Sequence, residues 1–122
     1  MGCILVAEDD FKTRLLIKIM LQRAGYRTDE AEDARQALDV LDSDTPVDLM
    51  ISDVIMPDVD GLELLEQAQK EHPHIPVILL SGQRKTDWIQ KALDKGAVGC
   101  LSKPFTQDEL VKAVGNVLRA GV

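Results

Sequence analysis

The sequence predicts an α/β fold in which helices cover both faces of a parallel five-stranded sheet. Short apolar runs and amphipathic segments alternate five times along the 122 residues, as in repeated βα units. The runs are rich in Ile, Val and Leu, which is typical of strands covered on both faces. A chain of this length with 45% hydrophobic residues fits one compact domain, residues 1–122.

Five segments are predicted to be strands. Four are apolar runs, at residues 4–7, 49–52, 77–80 and 98–101. The other, residues 26–31, carries Arg27, Asp29 and Glu30, so we expect it at an edge of the sheet. The flavodoxin-like (βα)5 three-layer sandwich has strand order 2-1-3-4-5, which places the second strand at an edge and allows right-handed crossovers. It places strands 1 and 3 side by side.

The segments between the strands carry apolar residues at helical spacing. The residues predicted to face the sheet are Leu15, Leu16, Ile19 and Met20; Ala34, Ala37, Leu38 and Leu41; Leu62, Leu65 and Ala68; Trp88, Ile89, Ala92 and Leu93; and Leu110, Val111, Val114, Val117 and Leu118. Gly25 and Gly96 are predicted to end helices in the left-handed conformation. Thr106 to Glu109 matches a capping box that opens the last helix.

Charge and composition limit the partners of the chain. With 14 basic and 21 acidic residues the net charge is −7, which disfavours direct binding to nucleic acid or to an anionic membrane. The apolar stretches are too short to span a bilayer and the N-terminus does not match a signal peptide, so we expect a cytoplasmic location. Cys3 and Cys100 lack zinc spacing and are expected to be reduced and partly buried.

Polar residues follow four of the apolar runs. Glu8 and Asp9 follow the first, Asp53 the second, Ser81 the third and Lys103 the fourth. Because the carboxyl ends of parallel strands share one edge of a sheet, where ligands of open α/β folds bind, we expect one site there. The carboxylates of Glu8, Asp9 and Asp53 would repel one another, and a divalent cation relieves this repulsion.

The residue types at this predicted site suit phosphoryl transfer. Oxygen ligands without histidine or thiolate favour Mg²⁺ or Mn²⁺ over zinc. A carboxylate can act as a nucleophile toward phosphorus, assisted by a metal, a cation such as Lys103 and a hydroxyl such as Ser81. Asp53 is the predicted acceptor.

Four motifs occur in order along the chain: Val-Ala-Glu-Asp-Asp at residues 6–10, residues 48–57 leading to Asp60-Gly61, residues 76–82, and Lys103-Pro104-Phe105. Each is weak alone. Together they resemble the receiver domain of two-component response regulators over essentially the whole chain. The resemblance implies that Asp53 takes a phosphoryl group from the phosphohistidine of a sensor histidine kinase or phosphotransfer domain.

The resemblance also implies a role for each site residue. The metal ligands would be Asp9, Asp53 and the backbone carbonyl of Ile55, with Glu8 holding a metal-bound water. Ser81 and Lys103 would contact the phosphoryl oxygens, and the Lys103-Pro104 peptide would be cis. Glu8 stands where aspartate is more usual in the family.

Cys100 stands where similar receivers carry Tyr or Phe, whose ring moves when the Ser/Thr hydroxyl approaches the phosphate. A thiol is too small to reproduce that movement, so Ser81 and Cys100 form an unusual pair of switch positions. We expect the loop after strand 4 and helix 4, including Trp88, to carry most of the change. The output face would be helix 4, strand 5 and helix 5, recognised by an unidentified output domain or protein or by a second copy in a phosphorylation-dependent dimer.

Other classes of function fit the residues less well. A haloacid-dehalogenase-like enzyme needs Asp-x-Asp after the first strand, and Glu8-Asp9-Asp10 lacks that spacing. A flavodoxin-like carrier needs a Gly-, Ser- and Thr-rich phosphate loop at the same place. A degenerate receiver domain that serves only as a scaffold would not need Asp9, Asp53, Ser81 and Lys103 together. We therefore expect a switch that catalyses its own phosphorylation, without turnover of a separate substrate, whether it stands alone or belongs to a longer regulator.

Overall fold

The computed structural model describes residues 2–54, 61–82 and 86–120, and only the backbone of residues 61, 86–89 and 120. Strands and helices alternate along these ranges. The elements are β1 (Cys3–Ala7), α1 (Phe11–Arg23), β2 (Arg27–Ala31), α2 (Ala34–Asp42), β3 (Leu49–Asp53), α3 (Gly61–Glu71), β4 (Val77–Ser81), α4 (Thr86–Asp94), β5 (Gly99–Ser102) and α5 (Gln107–Ala120).

The five strands form one parallel sheet in the order β2-β1-β3-β4-β5, which confirms the predicted topology and the edge position of β2. Ala7 pairs with Ser52, and Asp53 pairs with Leu80. Strands 1, 3 and 4 therefore end at almost the same level, so the residues that follow them meet at one edge. Strand β5 begins and ends one residue later than predicted.

Two cores pack against the two faces of the sheet. One combines Leu5, Met50 and Leu79 with buried residues of α2, α3 and α4. The other combines Ile4, Ile51 and further strand residues with α1 and α5. The alternation of side chains along each strand supplies both cores, which is why the runs are apolar at successive positions. The three-layer sandwich is confirmed.

The sheet-facing stripe predicted for α1 is wrong. Leu15, Leu16 and Ile19 are 40%, 52% and 39% exposed, and of the predicted set only Met20 packs partly against the core. The buried residues of α1 are Arg14, Ile17 and Leu21. These positions are three and four residues apart and share one helical face. Because Arg14 is charged, the buried face of α1 does not show an apolar pattern in the sequence, whereas the exposed face with Leu15, Leu16 and Ile19 does.

Most of the remaining predictions about the helices hold. Ala34, Ala37 and Leu41 of α2, Leu65 and Ala68 of α3, Ala92 of α4, and Leu110 and Val114 of α5 are buried, with Leu38, Leu62, Val117 and Leu118 packed partly against the cores. Leu93 is exposed because it lies beside, and not on, the stripe of Ala92. The side chains of Trp88 and Ile89 lie outside the described residues.

The predicted helix ends are also confirmed. Gly25 and Gly96 adopt φ of 95° and 109°, the left-handed region that favours glycine. Thr106 and Glu109 exchange the two hydrogen bonds of a capping box, at 3.2 and 3.1 Å. Over the described ranges, each helix is too short or too polar to cross a membrane.

Cys3 begins β1, and His72 and His74 lie between α3 and β4, so these three residues lie away from the carboxyl edge of β1 and β3. Both cysteines are free and half-buried, as predicted. His74 is exposed, whereas His72 is half-buried and its Nε2 contacts Asp42 Oδ1 at 2.7 Å, where the ends of α3 and α2 meet.

Candidate functional site

Three carboxylates converge at the carboxyl ends of β1 and β3. One oxygen from each of Glu8, Asp9 and Asp53 lies within 4.8 Å of the others. Glu8 is completely buried and Asp53 is 9% exposed, whereas Asp9 is exposed. The cluster is therefore a recess with two carboxylates at its base and one at its mouth.

Lys103 completes this recess from β5. Its Nζ donates to Glu8 Oε1 at 2.7 Å and to Asp53 Oδ2 at 3.1 Å. The backbone N–H of Lys103 donates to the carbonyl oxygen of Ser81 at 2.7 Å, which ties the residue to the end of β4. The Lys103-Pro104 peptide is cis. The structure thus brings together residues separated by up to 95 positions in the chain.

Burial and neighbouring charges shift the ionisation of this cluster. Burial of Glu8, together with the neighbouring carboxylate of Asp53, raises the pKa of Glu8 to about 7 although Lys103 opposes the shift. Burial also disfavours the charged form of Lys103, but its contacts with Glu8 and Asp53 outweigh that effect and raise the pKa of Lys103. Lys103 is therefore held in its charged form, whereas Glu8 binds its proton more tightly than an ordinary glutamate does.

The donor set fits a hard divalent cation. All the candidate side-chain ligands are oxygens, the kind that Mg²⁺ and Mn²⁺ prefer. Glu8 Oε2 is buried and has no hydrogen-bond partner among the described residues. An unpaired buried oxygen costs free energy, which a cation or a metal-bound water at this place would offset. Ile55, whose carbonyl was predicted as a ligand, lies outside the described residues.

Ser81 and Cys100 lie on neighbouring strands beside the recess. Ser81 is the last residue of β4 and is buried. Cys100 is half-buried on β5, where burial raises the pKa of its thiol. A cavity of about 460 Å³ lies next to it, lined by Leu101, Ser102, Pro104, Glu109 and Cys100 itself.

Sequence reasoning missed one residue of the site region, Arg14. It is 6% exposed, and its Nη1 donates to the backbone carbonyl oxygen of Glu8 at 2.7 Å. The available signal was its spacing of three and seven residues from Ile17 and Leu21, which places all three on one helical face. A charged residue on a buried face usually has a specific partner.

Comparison with known proteins decides the family. The sequence model of the response regulator receiver domain matches residues 4–115. The chain is a response regulator receiver domain. As such it belongs to the phosphoacceptor switches of two-component signalling.

Individual relatives agree with this assignment. The receiver domain is 37% identical over 113 residues to the DNA-binding transcriptional regulator NtrC of Escherichia coli K12, covering 93% of this chain and 24% of NtrC. It is 33% identical over 115 residues to sporulation initiation phosphotransferase F of Bacillus subtilis 168, covering 94% and 92% of the two chains. The chain thus spans about a quarter of NtrC but nearly all of the Bacillus protein.

The fold comparison agrees as well. A CheY-like receiver domain protein from Methanospirillum hungatei JF-1 superposes with a TM-score of 0.92 at 26% identity, covering 99% of this chain and 96% of the other. The two share the flavodoxin-like arrangement of five parallel strands and five helices.

Proposed function

We propose that this receiver domain accepts a phosphoryl group on Asp53 from a phosphohistidine and that the phosphate alters the surface formed by α4, β5 and α5. The observation that carries the proposal is the position of Lys103 Nζ, 3.1 Å from Asp53 Oδ2, in a recess that also holds the carboxylates of Glu8 and Asp9. A nucleophilic carboxylate, a fixed cation and a cluster of oxygen ligands are the groups that phosphoryl transfer needs.

The recess can perform the transfer in one displacement. A carboxylate oxygen of Asp53 forms a bond to phosphorus while the bond from phosphorus to the histidine nitrogen breaks, and that nitrogen keeps the electron pair. The Lys103 ammonium neutralises charge on the phosphoryl oxygens, and the Ser81 hydroxyl donates a hydrogen bond to one of them. Mg²⁺, or Mn²⁺ in its place, would be held by Asp9, Asp53 and the Ile55 carbonyl, with Glu8 on a bound water, and supplies further charge neutralisation.

The exposed apolar residues of α1 offer a docking place for the phosphodonor. We name Phe11, Leu15, Leu16 and Ile19 the α1 surface; they are between 39% and 63% exposed. Leu16 shares a cavity of about 330 Å³ with Thr13, Lys103, Pro104 and Phe105, so the α1 surface reaches the edge of the recess. A histidine kinase or phosphotransfer domain seated there would bury apolar area and present its phosphohistidine to Asp53.

The phosphate would act on the output surface through Ser81. Its hydroxyl moves toward the phosphoryl group, and the loop after β4 follows. Cys100 lies on the neighbouring strand β5 and has a small side chain, so that movement meets little steric resistance from β5. An output domain or protein, or a second copy of the domain, would then recognise the altered α4-β5-α5 surface.

Labelling with a small phosphodonor tests the acceptor. Acetyl phosphate with Mg²⁺ should add one phosphoryl group to each chain, which hydroxylamine removes because it is an acyl phosphate. Asp53→Asn should not be labelled. The matched control is Asp10→Asn, which changes an exposed carboxylate directly after Asp9 and keeps a residue that can cap α1. Labelling of Asp53→Asn at the rate of the parent would overturn the assignment.

A further inference from the structure

Arg14 connects the loop after β1 to the edge strand β2. Its Nη1 donates to the carbonyl oxygen of Glu8 at 2.7 Å, and its Nε donates to Glu30 Oε1 at 3.1 Å. Nη2 lies 3.8 Å from Glu32 Oε1, and Lys18 also contacts Glu30, at 3.2 Å. The planar guanidinium therefore has partners on several sides, which fixes its orientation more firmly than one contact would.

These contacts hold the backbone that leads into Asp9. The N–H of Glu8 donates to the carbonyl oxygen of Ala31 at 3.0 Å, while the carbonyl of Glu8 accepts from Arg14. Both backbone polar groups of Glu8 are thus fixed. Because the peptide bond is planar, fixing this carbonyl also fixes the amide of Asp9. The carboxylate of Asp9 is exposed, so its position depends chiefly on its own backbone.

We propose that Arg14 is a positioning residue for the metal site, which holds the Glu8–Asp9 peptide so that the Asp9 carboxylate meets that of Asp53. The inference rests on the proposed role of Mg²⁺ and extends it to a residue that touches neither the metal nor the phosphoryl group. Substitution of a residue that orients a metal ligand typically lowers metal affinity about 10–100-fold.

The sign of the change in affinity separates this role from a purely electrostatic one. Arg14 is positively charged, and a positive charge close to a cation site weakens cation binding. If charge alone mattered, Arg14→Gln would bind Mg²⁺ more tightly than the parent. If Arg14 positions Asp9, Arg14→Gln binds Mg²⁺ more weakly, and Arg14→Lys, which keeps the charge but loses the planar fork, also binds more weakly.

Mg²⁺ titration of the unphosphorylated domain measures this affinity. We expect about tenfold weaker binding in both Arg14→Lys and Arg14→Gln. The control is Leu21→Ala, which removes another buried side chain of α1 and should lower stability without changing Mg²⁺ affinity. If Arg14→Gln does not fold, Arg14→Lys still tests the proposal, because lysine keeps the positive charge and a flexible stem at this buried position.

Amide hydrogen exchange without metal gives a second readout. Arg14→Lys should exchange faster at Asp9 and Asp10 than at the centre of α1, whereas Leu21→Ala should accelerate exchange along α1 as a whole. Parent-like affinity and parent-like exchange in both Arg14 variants, with Mg²⁺ binding intact in the parent, would overturn this inference alone. Absence of Mg²⁺ binding in the parent would overturn the proposed function and this inference with it.

Discussion

The ammonium group of Lys103 lies closer to Glu8, at 2.7 Å, than to Asp53, at 3.1 Å. The lysine is therefore mainly the partner of a fully buried glutamate whose other oxygen lacks a partner among the described residues. Glu8 and Asp53 share this ammonium, and an oxygen of Asp9 lies within 4.8 Å of an oxygen of each of them. Without a divalent cation, this cluster of carboxylates is therefore electrostatically unfavourable.

Glu8→Gln should stabilise the metal-free domain. The pKa of Glu8 rises from an ordinary 4.5 to about 7 on folding, so the folded state binds the proton more tightly than the unfolded state. Glu8 therefore lowers the free energy of unfolding increasingly as pH rises from about 4.5 to about 7, and by a constant amount above that. We expect Glu8→Gln to be more stable by about 2 kcal/mol at about pH 8.

Urea unfolding in the presence of EDTA, at several pH values, measures this difference. The gain of Glu8→Gln over the parent should be small near pH 4.5, grow across the window and level off above about pH 7. A gain that is constant across the same range would show that Glu8 keeps an ordinary pKa in the folded domain.

Asp9→Asn should remove the response to Mg²⁺ without harming the fold. Asp9 is exposed, so its substitution should change the free energy of unfolding by no more than about 0.5 kcal/mol. In the parent, Mg²⁺ bound only by the native state should raise the melting temperature. Differential scanning fluorimetry with and without Mg²⁺ measures the rise, and Asp39→Asn, an exposed carboxylate of α2, is the control. A full rise in Asp9→Asn would locate the metal elsewhere.

Polar substitutions on the α1 surface should slow transfer from a protein donor but not from a small one. The double change Leu15→Ser and Leu16→Ser removes apolar area beside the recess and leaves Asp53 and Lys103 intact. Phosphate uptake should fall at least about tenfold with the autophosphorylated histidine kinase that labels the parent fastest in a purified panel. Uptake from acetyl phosphate should be unchanged.

The matched control for the α1 surface is Val98→Ser, which changes another exposed apolar residue, 48% exposed and just before β5. It should accept phosphate from the kinase as the parent does. Equal slowing by Val98→Ser, or none by the α1 double variant, would contradict docking on α1.

Ser81→Ala and Cys100→Ala should show whether the signal leaves the site through the Ser81 hydroxyl or through Cys100 on β5. Ser81→Ala should accept phosphate slowly and show a smaller change in Trp88 fluorescence and in amide exchange of α4, because the hydroxyl that follows the phosphate is gone. Cys100→Ala should respond nearly as the parent does, since a cavity already lies beside that position. Loss of the response in Cys100→Ala with a normal response in Ser81→Ala would contradict this route.

The sequence predicted the parts of the fold that depend on strand burial. Strands covered on both faces read as apolar runs, and the polar composition of β2 correctly placed it at an edge. The meeting of Glu8, Asp9 and Asp53 followed from the same strands, because their carboxyl ends must share one edge of the sheet. The roles of these three residues remain predictions, which rest on the similarity to other receiver domains.

The sequence-based predictions failed for the buried face of α1 and for the partner of Lys103. Arg14 is buried with its charge paired, so the inward face of α1 looked polar and the outward face, with Leu15 and Leu16, looked like the core. Hydrophobic periodicity does not register a buried ion pair. The contact of Lys103 with Glu8 was missed for a related reason, since sequence spacing gives proximity but not which of several acids a lysine prefers.

The two edges of the sheet differ in what they allow. Strand β2 carries three charged side chains among its five residues, Arg27, Asp29 and Glu30, and charges on an edge strand discourage addition of a further strand. Strand β5, Gly-Cys-Leu-Ser, carries no charge at the opposite edge. Growth of the sheet by strand exchange or by misassembly is therefore disfavoured at β2, and the charge of the edge strand acts as protection against aggregation on the side of the domain remote from β5.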